Sequence, residues 1–150
     1  MIRNATKDDL DDLIVLGREM HQESRFSVMN FSEEKVRTIL GNLIDDPNGC
    51  LLVSEVDGVV IGGFAGFIAE HYFSTDRLAT DLALFINRAD RGGMSAARLL
   101  RAFVKWAKQN GASLIQVGVT TGVHLEQTTK LYNALGFKTV GGVFAYEGDH

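Results

Sequence analysis

One cysteine, one proline and one tryptophan occur in 150 residues, and the chain has no long hydrophobic run. Each scarcity excludes something. A lone thiol, Cys50, cannot close an internal disulfide, which favours a reducing compartment. No stretch nears the roughly 20 apolar residues of a membrane span. The opening MIRNATKDDLDD lacks the basic-then-apolar order of a secretion signal, so the expected location is cytoplasmic, with no membrane partner. Neither HxxxH nor CxxC spacing occurs and the four histidines, His21, His71, His124 and His150, are scattered, so no metal is expected. A nucleophile elbow GxSxG, a Walker loop GxxxxGK[ST] and a GxGxxG after the first strand are all missing.

What is present suits one globular domain over 1–150, with 45% hydrophobic and 23% charged residues. Net charge is −4, unevenly placed. Arg88, Arg91, Arg98, Arg101, Lys105 and Lys108 crowd a segment whose only acid is Asp90. An acidic body with one basic segment suits a compact anion better than a long polyanion, so nucleic acid is an improbable partner. Arg101, Lys105 and Lys108 read more simply as a solvated helix face.

Patterning predicts the order β-α-α-β-β-β-α-β-α-β-β, a mixed α/β or α+β domain. Thr6 and Ser32 are N-cap residues for two helices whose inward faces are Leu10, Leu13, Ile14, Leu16 and Met20, then Val36, Ile39, Leu40 and Leu43. "CLLVSEV" and "VVIGGFAGFIA" flank Asp57-Gly58, the favoured chemistry for a two-residue hairpin turn. The glycines of "GGFAG" suggest a bulge or close packing. Residues 70–80 read as an irregular connection and Asp81–Ile86 as a strand. Ser95–Asn110 is the strongest helix, with Gly111 just past its end. "SLIQVGV" is strand-like, Gln127–Leu135 helical, and "FKTVGGVFAYE" a terminal hairpin around Gly141-Gly142.

Between the Asp81–Ile86 strand and the strong helix stands an arginine-glycine turn. Helix N-termini offer free N–H groups and a positive dipole end, so a bare glycine turn leading into one can cradle phosphate. Gly92 and Gly93 keep the backbone open, Ser95 can cap or donate, Arg91 adds charge, and Arg98 stands one turn further on.

"IRNATKDDLDDLIVL", "LALFINRADRGGMSAARLLRAFVKWAKQNGASLIQVGV" and "LYNALGF", in this order and spacing, resemble the GNAT superfamily of acyl-CoA-dependent N-acyltransferases across nearly the whole chain. The resemblance implies a mostly antiparallel sheet splayed open in the middle and flanked by about four helices. Acetyl-CoA, the acyl donor, would lie between strands 81–86 and 113–119. The phosphate loop maps onto Arg91, Gly92, Gly93, Met94, Ser95 and Ala96, with Phe85 and Ile86 on the strand before it. Met94 stands where the family has glycine; it still supplies a backbone N–H, provided its dihedrals are helical and its side chain points away. His124 and Glu126 stand where many members have asparagine. The terminal strand pair is a possible homodimer edge.

Acetyl transfer to an amine needs a base and an acid. Removing a proton from an ammonium of pKa near 10.4 at pH 7 costs about 4.6 kcal/mol, and the departing thiolate benefits from a donor. The resemblance assigns the acid to Tyr132 of "LYNALGF". Asp81 is the first candidate base, expected by period two to share a face with Ala83 and Phe85; a salt bridge to Arg77 is its structural alternative. Glu70 and His71 form the second candidate. Glu19, Glu23, Glu33 and Glu34 suggest a cationic acceptor, whether polyamine, aminoglycoside or lysine-bearing protein, although solvated faces explain them too. Two other functions stay open: a non-catalytic acyl-CoA-binding regulatory module, and a nucleic-acid-directed acyltransferase.

Overall fold

A computed structural model describes residues 1–148; His150 lies outside the described residues. Five strands form one sheet in sequence order: β1 (Ile2–Asn4), β2 (Gly49–Val56), β3 (Val59–Glu70), β4 (Arg77–Ile86) and β5 (Leu114–Gln116). The first three pairings are antiparallel and β4–β5 is parallel. The β2–β3 turn is as the sequence predicts. Asp57 and Gly58 both take positive φ, 51° and 79°, the twist that a two-residue hairpin demands.

Four helices cover the two faces: α1 (Leu10–Glu23), α2 (Glu33–Asp45), α3 (Ser95–Gln109) and α4 (Leu125–Ala134). Ser32 Oγ accepts the Lys35 N–H and caps α2. At the entry to α1, the Asp9 carboxylate accepts the Thr6 N–H at 2.7 Å and pairs with Arg3, which holds that carboxyl below the usual range. Leu10, Leu13, Leu16, Leu40, Leu51, Val53, Ala65 and Phe85 make the core on the α1–α2 face. Ile39, expected inward, is 37% exposed. Cys50, Phe64, Ile68, Ala79, Leu99, Leu100, Phe103 and Tyr132 make the core on the α3–α4 face. Cys50 is a small core residue there, and burial pushes its thiol up to about 12. Arg101, Lys105 and Lys108 are exposed, the solvated face that helix periodicity implied.

Three expectations need correction. β3 and β4 extend to Glu70 and from Arg77, so the irregular connection shrinks to 71–76. β5 stops at Gln116, because its partner strand turns away after Thr80. No hairpin forms at the end: residues 137–148 have no regular structure, and Val140, Val143 and Phe144 are 85%, 69% and 95% exposed. With no neighbouring strand beside them, the alternating apolar residues have no sheet to complete.

Candidate active site

The site is built where β4 changes partners. β4 pairs with β5 only at Leu78–Leu114, Ala79–Ile115 and Thr80–Gln116. Beyond Thr80 it continues to Ile86 bonded to β3 alone, so the sheet splays between 81–86 and 117–121. Asn87 N–H bonds Ile61 O at 2.7 Å, and antiparallel alternation therefore turns the backbone groups of Ile86 toward the gap. An unpaired strand edge of this kind is a template for an extended ligand.

A bulge decides which face each β4 residue serves. Ala65 faces Ala83, yet Gly66 faces Asp81, leaving Leu82 as an extra residue. Asp81 therefore stands on the α3–α4 face, opposite Ala83 and Phe85, and the period-two expectation fails at this point. Gly66 allows the bend: a Cβ there would lie 2.9 Å from both Phe103 Cε1 and Thr80 O. The glycine-rich strand thus reads correctly as bulge and close packing.

The bulge brings Asp81 to Tyr132. Asp81 Oδ1 accepts the Gly118 N–H at 3.2 Å, and the Tyr132 hydroxyl donates to Gly118 O at 3.0 Å. Burial raises the carboxyl of Asp81 above its ordinary value. Burial, and then the charge of Asp81, push the Tyr132 phenol well up. The motif "LYNALGF" has a physical account: Gly136 takes φ 95° past the end of α4, which turns Phe137 back so that its N–H bonds Tyr132 O at 3.0 Å. Their rings then sit 5.9 Å apart, fixing the tyrosine. Arg77 is engaged with Asn110 O and Asn48 Oδ1, so it is not the partner of Asp81.

Glu70 and His71 are not brought to this place. They lie at the exposed β3–β4 turn, and Glu70 pairs with Arg77, four residues from Asp81 along β4, or about 13 Å. His71 instead packs on Tyr72 and Phe73, with centroids 4.7 and 4.2 Å away.

At the far end of β4, Gly92 has φ 89° and Gly93 is exposed. Met94 is the N-cap of α3, with φ −92°, ψ −6° and no side-chain cap, and its side chain is 55% exposed. It keeps helical dihedrals and points out, as its Cβ requires. The first N–H groups of a 15-residue helix thus lack a capping side chain. Ser95 does not cap; its Oγ accepts from the buried Ser54 Oγ at 2.9 Å, tying α3 to β2. Ala96 is half-buried and Arg98 exposed.

Arg91 is placed differently from expectation. Its guanidinium grips the Glu23 carboxylate with both Nη atoms, and Nε donates to Ile86 O at 3.1 Å. Glu19 accepts the Arg88 N–H, and Glu23 also pairs with Arg88. Arg91, together with Arg88, holds the Glu23 carboxyl below its usual range. Glu33 pairs with Arg18 and Arg37. Three of the four carboxylates thought to attract a cationic acceptor are therefore occupied by arginines, which removes their support for that idea. Sequence periodicity had no means of locating these partners, nor the peptide of Gly118.

A model of the acetyltransferase (GNAT) family matches residues 17–137. The chain belongs to the GNAT family of acetyltransferases. It is an acyltransferase by that membership, and its mixed five-stranded sheet with four helices is the GNAT fold. The aminoglycoside acetyltransferase AAC(6')-Iy, solved with the bisubstrate analog CoA-S-monomethyl-acetylneamine, superimposes with a TM-score of 0.80 at 17% identity, covering 100% of this chain and 98% of that one. Aminoglycoside 6'-N-acetyltransferase AAC(6')-IG from Acinetobacter haemolyticus gives 0.75 at 18% identity, over 100% and 99%. Glucosamine-6-phosphate N-acetyltransferase from Arabidopsis thaliana gives 0.74 at 12% identity, over 99% and 98%. These identities establish a shared fold. No curated protein matches the chain. Among the described residues of this acetyltransferase, no helix is long and apolar enough to cross a membrane, and no cluster of His, Cys, Asp and Glu could hold a metal.

Proposed function

We propose that this GNAT chain transfers acetyl from acetyl-CoA to a primary amine by direct attack in a ternary complex. The observation that carries the reading is the convergence of Asp81 and Tyr132 on the N–H and C=O of one residue, Gly118, at the mouth of the splay. Acetyl-CoA supplies an activated acetyl thioester. The uncapped N-terminus of α3 after Gly92-Gly93 fits its pyrophosphate, and the β4 edge from Leu84 to the Ile86 N–H, short of the Ile86 carbonyl that Arg91 takes, fits its extended arm. Arg91, held by Glu23, shapes that loop, and Arg98 is an exposed cation near the helix start.

Asp81 takes the proton from the amine, directly or through a water. Its raised pKa makes it a better proton acceptor than an ordinary carboxylate. Tyr132 gives its phenolic proton to the departing thiolate. The two steps reinforce one another, because protonating Asp81 removes the negative charge that raises the Tyr132 phenol.

Calorimetric titration with acetyl-CoA, with coenzyme A and ATP as controls, tests the cradle. Selective micromolar binding supports it, and no binding at millimolar acetyl-CoA rules it out. A steady-state assay then tests the chemistry. Asp81→Asn should keep acetyl-CoA affinity, lose about 100-fold or more in kcat, and lose the acid limb of the pH–rate profile. Cofactor binding without turnover by any amine would favour the regulatory module.

A further inference from the structure

On the opposite face of the bulge, between α1, α2 and β4, lies a cavity of about 300 Å³. Leu13, Phe26, Phe31, Ile39, Leu82 and Phe85 are part of its wall, and among the described residues that line it none is Asp, Glu, Lys or Arg. It lies across the splay on the face opposite Asp81, since Leu82 to Phe85 of β4 line one side and Thr120-Thr121, two residues beyond Gly118, the other. Gly17 stands in the middle of α1, where glycine costs a helix about 1 kcal/mol against alanine. A Cβ there would reach 4.0 Å from Phe31 Cζ, so the missing side chain is part of the room.

Polar groups around the cavity are mostly spoken for. Ser24 Oγ donates to His21 O and accepts the Phe26 N–H; Thr121 Oγ1 accepts the Val123 N–H; Arg25 bonds the carbonyls of Thr120 and Thr121. His21 Nε2 is the exception, a buried nitrogen with no hydrogen-bond partner. Two cations flank the aromatic wall: Arg18 lies 4.7 Å over Phe31, and Arg25 lies 4.3 Å over Phe26.

We propose that this cavity binds the acceptor, and that the acceptor is a single primary amine on an apolar body of about one aromatic ring. It is not a polycation such as an aminoglycoside or a polyamine. This rests on the acyltransfer reading above. Each extra ammonium would be desolvated against leucine and phenylalanine with no carboxylate in the wall to meet it, and the Arg25 guanidinium over Phe26 would repel it. About 300 Å³ is at the small end of ligand sites. In the reaction the amine nitrogen bonds the acetyl carbon, the C–S bond breaks, the thiolate gains a proton and the nitrogen loses one.

The test follows thiol release from acetyl-CoA with 2-phenylethylamine, phenylalanine, spermidine and kanamycin as acceptors. At least one of the first two should exceed both polycations in kcat/KM by about 10–100-fold. Phenylalanine reports whether the arginines also take a carboxylate. Gly17→Leu, which fills the cavity while improving helix propensity, should raise KM for the favoured amine about tenfold and leave acetyl-CoA affinity unchanged. Faster turnover of spermidine or kanamycin would overturn the proposal, as would no turnover of either apolar amine by protein that binds acetyl-CoA. Failure to bind acetyl-CoA appears in the titration before any amine is added, and it overturns the acyltransfer reading itself.

Discussion

The two halves of β4 run through one sheet and differ in what lies on their second side. From Leu78 to Thr80 the strand is bonded to β3 and to β5, and Ala79 is fully buried. From Asp81 to Ile86 it is bonded to β3 alone, and Leu82 is 51% exposed. The closed half is an ordinary interior strand whose hydrogen bonds are complete. The open half carries the titratable side chain, the cavity wall and the approach to the glycine loop. The proposed chemistry falls where the sheet stops satisfying its own backbone and a ligand can complete it.

Changes that break this contrast should separate activity from stability. Tyr132→Phe, at the mouth of the open half, should lower kcat by about 10²–10⁴-fold with little change in Tm or acetyl-CoA affinity. Equal loss of affinity and rate would mean that the tyrosine only packs. Phe103→Ala strikes the α3–α4 core beneath β3, where the ring is fully buried with its centroid 4.4 Å from that of Phe64. It should cost about 3–5 kcal/mol in denaturant unfolding. Gly66→Ala tests the join between the halves. Its Cβ would press on backbone as well as on Phe103, so a loss of about 1–3 kcal/mol is expected, together with a fall in rate.

Two charge changes sharpen the comparison further. Glu23→Gln loosens the clamp on Arg91, with an expected loss of about 1–3 kcal/mol at pH 7. Because the folded carboxyl is held below its usual value, that difference from wild type is present above the ordinary carboxylate range and disappears as pH falls through the lowered pKa. Asp81→Asn should give the smallest stability change, and of opposite sign. The folded carboxyl is raised, so its charge is a penalty above that pKa; the variant gains stability at pH 7, and the gain vanishes below the usual carboxylate range. A loss of stability at pH 7 would show that the ionised group is structurally welcome there.

Local signals carried much of this into the sequence. Asp57-Gly58 is legible because two positive φ values need those residue types, and Gly111 marks a helix end for the same reason. Ser32, the α3 core face and the role of "GGFAG" follow from capping, period and the absence of a Cβ. Tyr132 was found through a resemblance and not through periodicity, which shows only a packed helix. Residues that meet across long separations were not legible. The ion pair of Arg91 with Glu23, 68 positions away, leaves no trace in local pattern. Asp81 was given the wrong face because alternation assumes unbroken pairing. The final segment has strand composition without a strand, since pairing needs a neighbour that composition cannot supply.

Leu82, the unpaired residue of the bulge, has a consequence for how variation reaches this site. Every amino-acid replacement along β4 preserves the count of residues between Thr80 and Ala83, and so leaves Asp81 with Tyr132 and Phe85 with the opposite core. Removing or inserting one residue changes that count from even to odd and exchanges the two faces at a stroke. A library of substitutions would therefore sample the size and charge of the groups on each side without ever testing their arrangement. Single-codon deletion is the change to which this strand is most sensitive, and the one that a scan by replacement leaves out.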